Sequence, residues 1–370
     1  DFRECDLLVV NPAVRPGNPF VQMAAECEAR ITTEIDLFLQ HCPATVIGVT
    51  GSNGKSTTTA MIDCMLRADG RTSWLGGNVG RSLLPQLSEI QADHWVVLEL
   101  SSFQLWRFSQ ATCAPHIAVV TSFTPNHLDW HLNYADYRDA KQRILSVQKP
   151  EDSAVLNTHD AEVANWASCV RGTCVALPSL DRIPPLRVPG HHNRINAACA
   201  WAAARAAGCR EDEILQALEP FGGLPERLEF VATLDGVEIY NDSSSTTPES
   251  TLAAILAIDR PVWLIAGGKN KGLSYTELLQ VVVKRCRGAA FFGATRDRFC
   301  KQAIAHAESL PCIAVESLQD ALAWCSQRAR AGDAIVFSPA CSSHDQFRNY
   351  RHRSDVFRGC VASLTKRGNR

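Results

Sequence analysis

Gly48-Val49-Thr50-Gly51-Ser52-Asn53-Gly54-Lys55-Ser56-Thr57 is the stretch on which the reading of this chain turns. Ahead of it, Ala44-Thr45-Val46-Ile47 is a short β-branched run that predicts a buried strand. Behind it, Thr58 to Leu66 carries apolar residues at helical spacing. Strand, glycine-rich loop and helix follow in the order of a phosphate loop. Val49 to Ser56 fits its pattern apart from the first glycine. Each residue type has a reason. Glycines let backbone N–H groups approach phosphate oxygens without a Cβ in the way. The helix N-terminus adds roughly half a positive charge. Lys55 can reach the β- and γ-phosphates, and Ser56 can set its hydroxyl on magnesium. A solvated lysine after a Gly/Ser turn would need none of this order. Gly51, Ser52, Asn53, Gly54, Lys55, Ser56 and Thr57 are therefore the candidate ATP-binding residues.

Strand and helix patterns alternate from residue 44 to about 223, which predicts a mostly parallel sheet. In such sheets ligands bind beyond the carboxyl ends of the strands. Trp95 to Leu98 is followed there by Glu99, and Ile117 to Val120 by a polar stretch with Asn126 and His127. Glu99 ends an apolar run, so its carboxylate needs a partner. A magnesium ion beside the phosphates is one, a salt bridge another. His127 could be a ligand, a base or an ordinary loop histidine, and His131 is the weaker candidate. Lys141 lies in a predicted helix over 137–145, where a lysine is usually solvated.

Residues 1–43 are expected to be the last part of a small α/β domain whose beginning lies outside this sequence. Leu7 to Val10 reads as a strand, Phe20 to Ala29 as a helix, and Ile31 to Leu39 continues with mixed spacing. Pro189 to Asn193 reads as a turn, with Asn193 capping a helix over 195–207. Asn196, near that helix start, could read a base. From 224 the chain alternates again, with strands ending at Gly267-Gly268, at Gly293 and at Ser338-Pro339. This predicts a second, Rossmann-like domain without a full dinucleotide fingerprint. The expected domains are thus 1–43, 44–223 and 224–370.

Composition narrows the class. With 39 acidic and 37 basic residues, the chain has no global basic surface for nucleic acid. No apolar run approaches the ~20 residues of a membrane helix. Its 15 cysteines include no C-x-x-C pair, which argues against zinc ribbons and thioredoxin-like chemistry. Thiols within apolar runs fit a reducing cytoplasm.

The phosphate loop, Glu99-Leu100-Ser101-Ser102-Phe103-Gln104-Leu105, Asn241-Asp242-Ser243 and Ser338 to Phe347, with Arg353 and Phe357 beyond, together resemble the Mur ligases. The motif order fits over nearly the whole chain, most like the members that add D-glutamate. The resemblance implies an ATP-dependent ligase joining D-glutamate to UDP-N-acetylmuramoyl-L-alanine through an acyl phosphate, in a monomer with two magnesium ions. It implies that Lys55, Ser56 and Glu99 serve the phosphates and first metal, and His127 and a carbamylated Lys141 the second. Asn196, Arg227 and Asp242 would contact ATP. Asn11, Asn78 and His127 would face the muramoyl substrate. Thr246, Lys271, Ser343 and Tyr350 would hold the D-glutamate carboxylates. It further implies that 1–43 is the remnant of a UDP-binding domain, so the UDP end should bind poorly to the chain as given. Two positions depart from the pattern: Ala13 replaces a glycine and Ser244 a lysine. The other readings are a non-catalytic nucleotide-binding relative and a ligase for another acceptor.

Overall fold

The computed structural model describes the chain except residues 1, 16, 79–81, 109–112, 125, 128, 129, 271, 308, 369 and 370, and the side chains of 365–368. It divides into two compact units. The first comprises residues 1–186 and 192–220, the second 187–191 and 221–370.

The first unit begins with β1 (Leu7–Val9), α1 (Pro19–Glu26), β2 (Arg30–Thr32) and α2 (Glu34–His41). β1 and β2 pair in parallel, Leu8 opposite Ile31. The mixed spacing from Ile31 to Leu39 is therefore the end of a strand followed by a helix. Thr33 then starts α2, its hydroxyl accepting the Asp36 N–H at 3.1 Å.

Next come β3 (Thr45–Thr50), α3 (Lys55–Ala68), β4 (Ser73–Gly77), β5 (Trp95–Glu99), α4 (Ser102–Trp106), β6 (Ile117–Val120) and α5 (Tyr134–Ser146). β7 (Ser153–Leu156), α6 (Ala161–Asn165), β8 (Thr173–Val175), α7 (His191–Ala206) and α8 (Glu211–Leu218) complete it. The sheet order is β4-β5-β3-β6-β7-β8, parallel throughout. β3 is central, which explains its unbroken apolar run: both faces are covered. Val46, Val96, Leu98, Ala118, Val120, Ala154 and Leu156 face one core with Leu105, Phe123, Tyr137 and Ile144. The alternate residues Ile47, Val49, Val97, Val119 and Val155 are also buried, on the other face. Burying each such side chain contributes about 1.5–3 kcal/mol.

α7 starts at His191, four residues before the expected start at Ile195. Asn193 is thus within the first helical turn and not its cap. Its side chain accepts a hydrogen bond from Asn196 Nδ2 at 3.2 Å.

The second unit holds β9 (Glu229–Leu234), β10 (Val237–Asn241), α9 (Pro248–Ala257), β11 (Val262–Gly267), α10 (Thr276–Arg285) and β12 (Cys286–Phe292). α11 (Arg296–His306), β13 (Cys312–Ala314), α12 (Leu318–Ser326), β14 (Ala334–Phe337) and α13 (Tyr350–Gly368) follow. The order is β13-β12-β11-β14-β10-β9, antiparallel only at the β9 edge. Leu264, Ala266, Phe291 and Val336 face one core; Trp263, Ile265, Phe292, Ile335 and Phe337 face the other. Among the described residues, no helix is long and apolar enough to cross a membrane.

Candidate active site

The phosphate loop connects β3 to α3 at the carboxyl end of the central strand. Gly54 adopts φ +83° and Gly51 φ +153°, both in the region that favours glycine. Space forbids a side chain as well. A Cβ on Gly51 would lie 2.1 Å from Thr121 Oγ1, and one on Gly54 would lie 2.3 Å from Asn196 Oδ1. The end of β6 anchors the loop: Thr121 Oγ1 donates to Asn53 O at 2.6 Å, and Asn53 N donates to Ser122 Oγ at 2.9 Å. Ser52 Oγ donates to Thr124 O at 2.8 Å and lies 2.9 Å from the Tyr137 hydroxyl. The loop conformation is therefore set by tertiary contacts as much as by glycine. Lys55 Nζ donates to the carbonyls of Gly51 and Ser52, both at 3.0 Å, so its charge lies over the loop.

Glu99, at the end of β5, is 2% exposed. Ser56 Oγ donates to its Oε2 at 2.5 Å and Asn78 Nδ2 to its Oε1 at 2.7 Å. Asn78 also anchors its own backbone, N–H to Glu99 O at 2.8 Å. Adjacent strands thus deliver Ser56, Glu99 and Asn78 to one point. Among the described residues, the buried carboxylate is met by these neutral donors and by no salt bridge. Carboxylate and hydroxyl oxygens side by side are the hard donors that magnesium takes, with phosphate and water completing its shell. Among the described residues, no three His, Cys, Asp or Glu side chains form a ready cage.

Lys141 is not solvated. It is 2% exposed, and its Nζ donates to Gly51 O at 2.7 Å. The amine also sits 5.0 Å from the Tyr137 ring centroid. Burial holds its pKa well below the lysine range; the Lys55 charge adds to this and the Glu99 carboxylate opposes it. Its local sequence pattern does not reveal this, because the contact is with a residue 90 positions away, and only the resemblance to the Mur ligases singles it out. Asn196, 6% exposed, packs against Gly54.

His127 is exposed, with φ +54°, and its ring centroid lies 4.8 Å from that of Phe103 and 6.3 Å from that of Tyr137. Tyr137 thus stands beside both His127 and Lys141. His131 is 2% exposed and bridges Asp136 Oδ2 at 3.1 Å and Ser102 Oγ at 3.0 Å. It ties α4 to α5. The exposed Asn11 accepts the Ala13 N–H at 2.9 Å in a local turn, and Ala13 O accepts from Trp130 Nε1 at 3.2 Å.

Arg227, Asp242, Thr246, Ser343 and Tyr350 belong to the second unit. Asp242 is 5% exposed, and burial pushes its pKa up to about 6 despite bonds from Leu228 N (3.0 Å) and Ser338 Oγ (2.6 Å). Arg353 is fully buried and stitches the loops here. Its guanidinium donates to Ser243 O at 2.8 Å and to Cys341 O at 3.0 Å. Burial lowers its pKa to about 10, so it stays charged at neutral pH. Ser243 Oγ donates to Tyr350 O at 2.8 Å, and Ala340 N to Ser245 O at 3.0 Å. The segments carrying Thr246, Ser343 and Tyr350 are thus bound to one another. Ser343 is buried, whereas Lys269 is exposed. Lys271 lies outside the described residues. Thr121 and Ser122 carry no sequence signal beyond their place after a strand end, and Tyr137 none beyond its place in a predicted helix.

A phosphate loop on the central strand of a parallel sheet, with a buried carboxylate on its serine and a buried amine on its glycine, defines a phosphate-handling α/β protein. Residues 49–177 match the Mur ligase middle domain, and 226–341 the Mur ligase glutamate ligase domain. The UDP-N-acetylmuramoylalanine--D-glutamate ligase of Symbiobacterium thermophilum is 35% identical over 387 residues, covering 97% of this chain and 84% of the relative. That of Oleidesulfovibrio alaskensis is 37% identical over 367 residues, covering 98% and 80%. Among solved structures, MurF from Acinetobacter baumannii superimposes with TM-score 0.65 at 17% identity, over 99% of this chain and 92% of that one. A Thermotoga maritima MurF ligase in complex with ADP gives 0.62 at 16%, over 98% and 99%. These two share the fold. The chain belongs to the Mur ligase family.

Proposed function

We propose that this protein is an ATP-dependent ligase that joins D-glutamate to UDP-N-acetylmuramoyl-L-alanine in peptidoglycan precursor synthesis. The observation that carries this reading is the convergence of Lys55, Ser56, Glu99, Asn78 and Lys141 around one loop, in a chain about 35% identical to ligases of that name. Lys55 and the loop N–H groups hold the ATP phosphates, and transfer of the γ-phosphoryl to the alanyl carboxylate gives an acyl phosphate. The amine of D-glutamate attacks its carbonyl carbon, an amide bond forms, and phosphate leaves as the C–O bond to it breaks. Lys55 offsets negative charge in both steps.

Ser56 and Glu99 would hold a first magnesium ion, and His127 with Lys141 a second; the metal supplies charge neutralisation at phosphate oxygens. Lys141 qualifies because it is buried and easily neutral. A neutral amine adds CO₂ to give a carbamate and release one proton, turning the side chain into an anionic oxygen donor. Asn11 and Asn78 are assigned to the muramoyl substrate, and Asn196, Arg227 and Asp242 to ATP. Thr246, Lys271, Ser343 and Tyr350 are assigned to the carboxylates of D-glutamate.

The test is phosphate release from Mg-ATP. Release that needs both UDP-N-acetylmuramoyl-L-alanine and D-glutamate, and that other amino acids do not replace, is the expected result. ATP binding without release would make the chain a non-catalytic relative. Release with a different amino acid would move the acceptor.

A further inference from the structure

We propose that Glu229, clamped by Arg358, is the positioning residue that sets Arg227 and Asp242 for nucleotide binding, an inference that rests on their assignment to ATP above. Arg227 is flanked by two non-glycine residues in left-handed backbone: Glu226 at φ +63° and Leu228 at φ +44°. Such conformations persist only where the surroundings over-determine them, and they mark functional segments.

The restraints here are specific. Glu226 N–H donates to Glu229 Oε2 at 2.9 Å, and Glu226 O accepts from Ser244 N at 3.0 Å. Leu228 N–H donates to Asp242 Oδ1 at 3.0 Å, and Arg227 N to Leu224 O at 3.2 Å. Both strained residues are thus held by a carboxylate.

Glu229 is the hub. It opens β9 directly opposite Asn241, the last residue of β10 and the neighbour of Asp242. Its Oε2 accepts from Asn241 Nδ2 at 3.1 Å as well as from Glu226 N. From α13, Arg358 reaches both oxygens, Nε to Oε1 at 3.2 Å and Nη2 to Oε2 at 3.0 Å. A two-point Arg–carboxylate pair fixes orientation as well as charge. Asn241 Nδ2 also donates to Ser354 Oγ on α13 at 2.7 Å. One carboxylate therefore joins the strained turn, the strand end beside Asp242, and the last helix. Arg227 itself is exposed, as a ligand-contacting side chain on a rigid turn would be. An ordinary edge-strand salt bridge would not require the strained turn.

The experiment is steady-state kinetics of the full chain for Arg227→Ala, Glu229→Ala, Glu229→Gln, Arg358→Lys and the double variant R227A/E229A. Glu229→Ala is expected to raise KM for ATP about tenfold, the scale of effect of a small misplacement, with kcat and KM for D-glutamate within about twofold of wild type. In the Arg227→Ala background it should add nothing further, because the two act through one contact. Glu229→Gln and Arg358→Lys should fall between. Equal effects of Glu229→Ala in both backgrounds, or a lowered Tm with unchanged KM, overturn the proposal alone. An unchanged KM for ATP in Arg227→Ala overturns the ATP assignment and the proposal with it. Should Glu229→Ala fail to fold, amide exchange in Glu229→Gln decides. Faster exchange at Glu226 N–H with a raised KM supports the clamp; wild-type exchange refutes it.

Discussion

Lys141 and Asp242 show how burial converts ordinary side chains into chemical ones. Lys141→Ala should lose catalysis yet regain part of it with formate or acetate, which restore an anionic oxygen where the carbamate would be. Phosphate-release assays with and without the small acid decide this, and absence of rescue in a folded variant removes the anionic role. Lys55→Ala should abolish ATP turnover, since nothing else on the loop offers a flexible cation; turnover at the wild-type rate would refute the phosphate-loop assignment. Asp242 carries a pH signature. Its folded pKa of about 6 lies above the usual carboxylate value. The folded state therefore holds that proton more tightly than the unfolded chain. Its contribution is most favourable below about pH 4 and is lost as pH rises through about 6. A difference of that size between folded and unfolded chain corresponds to about 3 kcal/mol. Asp242→Asn should thus be more stable relative to wild type at pH 7.5 than at pH 4.5, while binding ATP more weakly. Thermal melts at both pH values test this, and a pH-independent difference counts against it.

Among the elements, the phosphate loop is legible in the sequence because strand, glycines, lysine and helix are contiguous, and Glu99 because it ends an apolar strand. Lys141 is legible only through the family resemblance, since in its own helical segment a lysine looks the same whether it meets solvent or Gly51 O. Asn193 looks like a cap because helix starts depend on what precedes them, and α7 continues back to His191. Thr33 shows the same limit: the mixed spacing of Ile31 to Leu39 does not reveal that Arg30–Thr32 pairs with β1 before Thr33 caps the helix. The loop also makes a prediction of its own. Gly51→Ala would press a methyl onto Thr121 Oγ1, 2.1 Å away. It should cost about 1–3 kcal/mol of stability and remove ATP binding. Thr121→Ala in the same chain should recover some stability but little binding, because the φ of Gly51 remains unsuited to alanine. Denaturant melts and ATP titration of the single and double variants separate the two effects; full recovery of binding would show that sterics alone set the loop.

For the molecule as a whole, each large sheet is closed at its centre by a strand whose neighbours are not consecutive with it in sequence. In the second unit β14 lies between β11 and β10, joining β13-β12-β11 to β10-β9. Residues 334–337 are therefore the only link, among the described strands, between two otherwise separate pieces of sheet. A chain stopped at residue 333 should leave residues 221–333 open to proteases that spare them in the full chain; equal resistance would mean that other contacts suffice. During synthesis the consequence is a waiting period. Val237 to Asn241 emerges from the ribosome about a hundred residues before its parallel partner, with one backbone edge, its N–H and C=O groups, unpaired for all that time. The sheet of the second unit can therefore close only once residues 334–337 have emerged, and its yield in a cell depends on whatever shields that edge until then.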